Sequence, residues 1–411
     1  MVVNLVLRLA WRNLWRQPRR TWLTTGAMIF SNILLVFMIS LQFGMYGVMI
    51  DNTLQTFTGH LQVQAPGYID DQKMRQVVEN VQPLAESLRS KLGHGRIAAR
   101  ATAFALASSE DRSYGIAIIG VEPEFEPLVS TVPGLVADGR FLIAGDAREI
   151  VVGAALARNL RVGLGDELTL LGSGRDGSFA ATVVTVIGIF DTGVTDFDRS
   201  FAEIPLALFQ DTFSMQGGGH QVVINTIDID RVPAVKAQVE SLLPNGQNLV
   251  AHDWDALQPG LKQAIRADMS SAFFMYGILV ILVAFSVLNT QLMSVLERTH
   301  EFGIVMALGL KPWRLGRLVL LETAIMGTLG LLLGALLGGL ITSYFTANGF
   351  SVPGMEEMAA KFNLPGRVFP QVSVMTLLLG PAVVFVFTML AALYPAQRMQ
   401  RLQPVEALRT I

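Results

Sequence analysis

Residues 21–50, TWLTTGAMIFSNILLVFMISLQFGMYGVMI, run for thirty positions without a charged side chain. About 20 apolar residues suffice for a helix to cross the hydrocarbon of a bilayer. A secretory leader has an apolar core of only about 7–15 residues, followed by a small-residue cleavage site. This stretch is too long for that. It is expected to be a retained first span whose far end continues beyond the membrane as a stalk. Three more stretches share the pattern: 269–296 and 368–397 without a charge, and 318–345 with one acid, Glu322. Each is long enough to span with some tilt.

Composition agrees with this reading. Of the 411 residues, 51% are hydrophobic and 16% charged, well below the quarter or so that is usual in soluble domains. The formal net charge of −2 offers no basic stripe for phosphates, so nucleic acid is excluded as the expected partner. There is no cysteine, which removes disulfide, thiol and zinc-finger chemistry.

Basic residues set the orientation, because cytoplasmic loops carry the excess of Lys and Arg. Arg8, Arg12, Arg16, Arg19 and Arg20 precede the first span. Arg298, Lys311, Arg314 and Arg317 lie between spans two and three, and Arg398, Arg401 and Arg409 follow the fourth. In the link 346–367, Glu356 and Glu357 balance Lys361 and Arg367. The expected chain is an α+β membrane protein with both termini inside. It comprises a cytoplasmic interfacial helix at 1–20, a first span and stalk at 21–50, and a large mixed α/β extracytoplasmic domain at 51–268. Then come a second span at 269–296, a cytoplasmic link at 297–317, a third span at 318–345, a short outer loop at 346–367, a fourth span at 368–397 and a cytoplasmic tail at 398–411. Leu5, Leu9, Arg12 and Arg16 fall at helical spacing beside Trp11, Trp15 and Trp22, which suits a helix lying in the membrane interface. A plain positive flank is the simpler alternative.

Within 51–268, alternation of apolar residues predicts strands at 60–65, 114–121, 149–152, 167–171, 179–189 and 221–227. Helices are predicted near 77–92, at 154–160, and around Val232, Val235, Val239 and Leu242, with Pro233 in the first turn. Two lobes are expected. Residues 172–178, GSGRDGS, separate two good strands as a mobile hairpin tip. That tip is either a hook for a soluble partner or an ordinary hairpin loop.

Catalytic patterns fail one by one. No G-x-x-x-x-G-K-S/T exists to cradle ATP phosphates. His300-Glu301 opens like a zinc-protease motif, but Ile304 stands where the second histidine is needed. The five histidines are scattered, without ligand spacing, and no G-x-S-x-G elbow occurs. Asp191, Asp196 and Asp198 share a loop that either binds a cation or is simply solvated. No catalytic residue, metal site or cofactor is expected in this chain.

The link 297–314 reads ERTHEFGIVMALGLKPWR. It suits a helix up to Gly309, a candidate C-cap, with Pro312 beyond the stop. Phe302, Val305, Met306 and Gly309 share one face. An exposed aromatic there would let a cytoplasmic partner take the helix in a groove.

Glu297-Arg298, Glu301-Phe302-Gly303-Ile304 and Ala307-Leu308-Gly309 resemble the E-R-x-x-E-I/F-G-I/L-x-R/K-A-L/I-G-A signature of the FtsX-like permeases. That group includes the MacB exporter and the LolC/LolE lipoprotein-release subunits. Glu322 and the glycines after it match the family's E-x-x-x-x-G-x-x-G run. The tail from Tyr394-Pro395-Ala396 to Pro404-Val405-Glu406-Ala407-Leu408-Arg409 is similar to the family's ending. Ala10-Trp11-Arg12-Asn13-Leu14 with Pro18-Arg19-Arg20 is similar to its opening. Gly139-Arg140-Phe141, Val151-Val152-Gly153, Leu156-Ala157 and 162–166, VGLGD, echo the MacB-like core. Met306 and Leu310 depart from the signature.

The resemblance implies a coupling helix that docks on a separate ABC ATPase dimer, which carries the ATP and Mg. Its residues here are Glu297, Arg298, Glu301, Phe302, Gly303, Ala307, Leu308 and Gly309. It further implies a second permease subunit, identical or related, and a periplasmic carrier or adaptor as a further partner. The expected location is the cell inner membrane, with the large domain in the periplasm. The expected work is lipoprotein release or export of an amphiphile. The alternatives are small-molecule or peptide export of MacB type, and FtsX-like signalling to cell-wall hydrolases.

Two features remain inside the membrane. Glu322 is costly in lipid unless paired or near the interface. It is expected to pair with Arg12 or Arg16 of the N-terminal helix, or else to snorkel or be protonated. Gly330, Gly334 and Gly338 recur on one helix face, which allows close backbone approach. They mark either a dimer seam or packing against another span of the same chain.

Overall fold

The computed structural model describes residues 2–93, 96–227, 229–244, 246–351 and 367–400, with side chains at the N-terminus from Arg8 onward. Glu356, Glu357, Lys361 and the tail motif at 402–409 lie outside the described residues. Two compact units divide the chain. One draws on 1–47, 264–353 and 367 onward, and the other on 48–263.

The chain starts with α1 (Val2–Leu14) and, after a three-residue break, α2 (Pro18–Thr53), which ends in a π-helical turn at Leu54–Thr58. Pro18 suits a first helical position, where its missing N–H costs nothing. The domain follows: β1 (Leu61–Gln64), α3 (Val81–Leu92), β2 (Ile97–Ser108), β3 (Ser113–Val121), α4 (Glu126–Val129), β4 (Val136–Gly139), β5 (Glu149–Gly153), α5 (Ala154–Leu160), β6 (Glu167–Ser173), β7 (Phe179–Phe190), α6 (Thr195–Ser200), β8 (Phe201–Pro205), α7 (Leu206–Thr212), β9 (Gln221–Ile224), α8 (Val232–Leu242), β10 (Val250–Asp253) and α9 (Trp254–Leu257). Among the described residues four helices follow: α10 (Pro259–Glu297), α11 (Thr299–Ala307), α12 (Pro312–Asn348) and α13 (Val374–Gln400).

Among the described residues four helices are long and apolar enough to cross a membrane: Pro18–Thr58, Pro259–Glu297, Pro312–Asn348 and Val374–Gln400. Their ends differ from the apolar stretches for local reasons. Helix α10 begins ten residues before the uncharged run, because the amphipathic 259–268 segment is helical too. Helix α13 starts at Val374 rather than 368. Val368 instead exchanges two backbone hydrogen bonds with Phe350. Ser373 then caps the helix, its Oγ accepting from Thr376 N (3.1 Å) while Thr376 Oγ1 accepts from Ser373 N (2.9 Å), a reciprocal capping arrangement.

The glycine face of α12 packs within the chain. A Cβ on Gly330 would sit 2.8 Å from Met28 Cβ, and one on Gly338 would sit 3.0 Å from Val36 Cβ. On Gly334 it would collide with Asn32. Asn32 Nδ2 donates to Gly330 O at 3.0 Å. Small residues thus bring α12 onto α2, which answers the choice between dimer seam and intrachain packing in favour of the latter. Met28, Leu35, Ile39, Tyr276, Val280, Val283, Val287 and Val384 form the apolar interior of this unit.

The domain is built on a ten-stranded sheet among the described residues, with order β10-β1-β9-β2-β3-β8-β5-β7-β4 and β6 pairing both β2 and β7. Strands β2, β3, β8, β5, β7 and β6 therefore close a circuit. Only β3–β8 and β5–β7 are parallel. Long β2 pairs β9 through 97–100 and β6 through 106–108, so one ladder runs through both regions where two lobes were expected. Alternate residues of β2 (Ala101, Ala103, Ala105 and Ala107) join Ile118, Ile150, Leu168, Val184, Ile204 and Phe209 in the main core.

Candidate coupling site

Helix α11 is a short rod with two unlike faces. Phe302 (4% exposed) and Met306 (6% exposed) are packed with Val295, Leu315, Val319 and Met399. Arg298 lies over the Phe302 ring, 5.1 Å from its centre. The expectation of an exposed aromatic is therefore corrected. Phe302 and Met306 anchor α11 to α10, α12 and α13, because bulky apolar groups at i and i+4 of one turn are best satisfied together. The free apolar face is Ile304, Val305 and Leu308, the last 84% exposed. His300, Glu301 and Ala307 are also exposed, and Gly303 is buried.

The helix stops at a left-handed turn. Gly309 has φ +97°, and its N–H donates to Met306 O at 2.9 Å while Leu310 N–H donates to Val305 O at 3.2 Å. A residue in this conformation strongly favours glycine. The turn leaves Leu308 standing at the tip.

A polar network ties this helix to the N-terminal segment. Arg16 donates to both Glu301 oxygens at 3.1 Å. Arg20 donates to Glu297 Oε2 at 3.0 Å and to Ser294 Oγ at 2.5 Å. Arg298 reaches Glu322 Oε1 at 3.5 Å and Glu301 Oε2 at 3.6 Å. Asn13 Nδ2 donates to the same Glu322 oxygen at 2.8 Å. The expected partner of Glu322, Arg12 or Arg16, is thus corrected. Its cation is Arg298, and the N-terminal helix reaches it through Asn13. Arg16 is engaged with Glu301 instead. The hydrogen bonds from Arg16 hold the Glu301 carboxyl below the usual carboxylate range, which keeps the bridge ionised at neutral pH. Asn13 and Ser294 were not singled out in sequence, since a lone amide or hydroxyl carries no signal until its partner is known.

Other sequence features take ordinary places. Arg175 at the hairpin tip pairs with Glu79 at 2.5 Å, and its N–H donates to Phe213 O at 2.9 Å, so the tip is fastened to its own domain. Asp198 is buried and accepts from Thr192 N (3.1 Å) and Oγ1 (2.7 Å); it fixes a turn. Among the described residues, no group of three or more His, Asp or Glu could hold a metal ion.

Comparison with known families matches 273–404 to the FtsX-like permease C-terminal model and 21–242 to the MacB-like periplasmic core domain. The chain belongs to the FtsX-like permeases that carry a MacB-like periplasmic core domain. The resemblance read from the link motif is thereby borne out over both halves. This permease is 27% identical over 274 residues to the lipoprotein-releasing system transmembrane protein LolC of Xylella fastidiosa, covering 63% of this chain and 64% of that one. It is 24% identical over 303 residues to LolE of Haemophilus influenzae, covering 71% and 72%. It is 28% identical over 244 residues to the macrolide export ATP-binding/permease protein MacB of Sodalis glossinidius, covering 55% and 33%. The permease thus spans 64% of the length of the LolC relative. Four apolar helices and this family make it a multi-pass membrane protein.

Proposed function

We propose that this permease is the membrane subunit of an ABC transporter that carries ATP-driven motion from a separate ATPase to its MacB-like domain, for lipoprotein release or export of an amphiphile. The observation that carries the proposal is the two-faced α11. Its Leu308 tip is free to enter a groove on an ATPase, while Phe302 and Met306 fasten its other side to α10, α12 and α13 and Arg16 ties Glu301 to the break between α1 and α2. A push on such a rod moves the helices together, because packed interiors transmit displacement rather than absorb it. ATP binding must favour one arrangement over the other for this to work, and ATP and Mg would sit on the ATPase dimer.

In the sequence α2 leads into the domain and α10 leads out of it, which gives the motion a path along the chain. The basic residues around α1, α11 and the end of α13 support a cytoplasmic position for that end and an inner-membrane protein with its domain in the periplasm. Exposed Trp11, Trp15 and Trp22, with Trp15 in edge contact with each of the other two, support α1 as the interfacial helix. A second permease subunit and a periplasmic carrier or adaptor complete the assembly. Names of the LolC and LolE relatives favour lipoprotein release. The shorter MacB match supports export as the second reading.

The test is co-purification. The wild-type chain should bring down an ABC ATPase and stimulate it in vesicles, and Leu308→Asp should lose it with the melting temperature unchanged. An ATPase retained by Leu308→Asp at wild-type affinity would overturn the proposal.

A further inference from the structure

The MacB-like domain holds a half-open cavity of about 540 Å³, within the range of small-molecule sites. Phe57, Phe197 and Phe201 form its aromatic wall, with Leu135 and Val194 beside them and Gln258 at the edge. The rings of Phe197 and Phe201 stack at 4.3 Å, and Phe57 lies 5.6–5.8 Å from both. None of the three is fully buried, and Val194 is 51% exposed. Every polar group on the wall is a hydroxyl or an amide; no ionisable side chain lines it.

An apolar hollow normally closes, because its lining forfeits dispersion contacts. This one is held open. The π turn at Leu54–Thr58 would leave its last carbonyls without partners, and the domain takes four in succession. Thr131 N–H donates to Gln55 O at 2.9 Å, Ser130 Oγ to Thr56 O at 2.8 Å, and Gln62 Nε2 to Thr58 O at 2.6 Å. Buried Arg100 donates to Phe57 O, and its guanidinium sits 4.4 Å from the centre of the Phe57 ring. Glu126, equally buried, neutralises Arg100. The Asp198–Thr192 hydrogen bonds likewise fix α6, which carries Phe197. A preformed wall of this kind saves a ligand the cost of ordering it.

From this geometry we infer that the cavity binds one acyl chain of an amphiphile, whose headgroup stays outside. Three arguments select that occupant. The wall has nothing to match a charge. A peptide would bring backbone N–H and C=O groups that need partners, and the lining hydroxyls of Thr53, Thr56 and Thr192 already donate within the chain, to Met49 O (2.8 Å), Asn52 O (2.7 Å) and Asp198 Oδ1 (2.7 Å). Residues 52–58 directly continue the first apolar helix and Gln258 directly precedes the second, so the site lies in the chain where an apolar chain leaving a bilayer would arrive. The inference deepens the amphiphile reading above and rests on it.

The full-length chain in nanodiscs would be incubated with a palmitoyl lysophospholipid carrying a diazirine on its acyl chain, irradiated, and mapped by mass spectrometry. Adducts are expected on peptides covering 192–201 as well as on the apolar helices. Val194→Trp, which fills the cavity from an exposed position, should lower labelling of 192–201 by about tenfold, the factor expected when a chain forfeits roughly two buried methylenes. Labelling of α12 should not change. Adducts confined to the apolar helices, labelling unaffected by Val194→Trp, or competition by an aromatic-rich peptide but not by unlabelled lysophospholipid would each overturn the inference. The Leu308→Asp co-purification is independent of this readout. Lost ATPase binding in that variant with no label at 192–201 would refute the cavity alone.

Discussion

Arg16 grips Glu301 with both terminal guanidinium nitrogens, Nη1 to Oε2 and Nη2 to Oε1, each at 3.1 Å. The pair joins the break between α1 and α2 to the first turn of α11, across 285 positions of sequence. Both side chains are about half exposed, so the bridge sets geometry more than stability. Fork-to-carboxylate pairing fixes an angle as well as a distance, which suits a joint that must move as one piece.

Arg16→Ala should therefore change the melting temperature little, in keeping with about 0.5 kcal/mol for an exposed pair, while lowering stimulated ATPase activity severalfold. The bridge also has a pH signature. Arg16 depresses the Glu301 carboxyl in the folded chain. Its stabilisation is then complete above the ordinary carboxylate pKa and lost as pH falls through the depressed value. Melting curves of wild type and Arg16→Ala should converge at acid pH and differ, slightly, at neutral pH.

The two faces of α11 predict opposite phenotypes. Phe302→Ala removes a ring from a packed interior, and such losses cost about 3–5 kcal/mol. It should appear as reduced thermal stability in detergent, with ATPase binding falling only as the fold fails. Leu308→Asp alters a side chain that touches almost nothing. It should leave the melt unchanged and remove the partner, as read by co-purification.

How far these features were legible depends on what each needs. The spans could be read because lipid forces long uncharged runs, and α5 because Ala154–Leu160 is a compact apolar helix between a strand and a left-handed Arg161. Strand β2 escaped notice because IAARATAFALAS is rich in alanine, which is depleted in strands. Alanine is used there because the inner face must accept α7 and its Phe209 and Phe213. The orientation of α11 was misread because periodicity gives a face without saying what lies against it. Met399, on another helix, decides that Phe302 points inward. Glu322 was recognised as needing a partner, but a carboxylate's partner is a tertiary fact. Arg298, 24 positions away, competes successfully with Arg12 and Arg16.

Glu322→Ala should be costly. The carboxylate and Arg298 are both largely buried, and removing one member of such a pair leaves the other uncompensated, at a cost of about 3 kcal/mol. Asn13 loses its acceptor as well. A melt in detergent should fall by several degrees, and Glu322→Gln, which keeps an oxygen for Asn13, should fall less. Equal melts for wild type and Glu322→Ala would rule out the network as a structural joint.

Gly334→Leu tests the packing of α12 on α2. Its side chain has no room beside Asn32, and overpacking a filled interface costs about 1–3 kcal/mol. Gly26→Ala is the control, because nothing lies within 4 Å of the added carbon and alanine favours the helix. Thermal melts should drop for the first and hold or rise for the second.

His220 gives the domain an acid limit. Its ring is fully buried, stacked on Tyr68 with centroids 5.1 Å apart, and its Nδ1 accepts from Thr102 N at 2.9 Å. That bond needs a neutral ring. Burial pushes the imidazole down from 6.5 to about 4, and Arg175 at the hairpin tip pushes the same way. A group depressed in the folded state contributes fully above its unfolded value and loses that contribution as pH falls toward its folded one. Stability of the domain should thus decline between pH 6.5 and about 4, by up to about 3 kcal/mol in all. His220→Gln keeps an acceptor for Thr102 and has no proton to take up. Protection factors for hydrogen exchange at β2 and β9 in the full chain, each rate referred to the intrinsic rate at its pH, should fall through that window in wild type and stay level in the variant. The same acid dependence in both would assign the effect to another group.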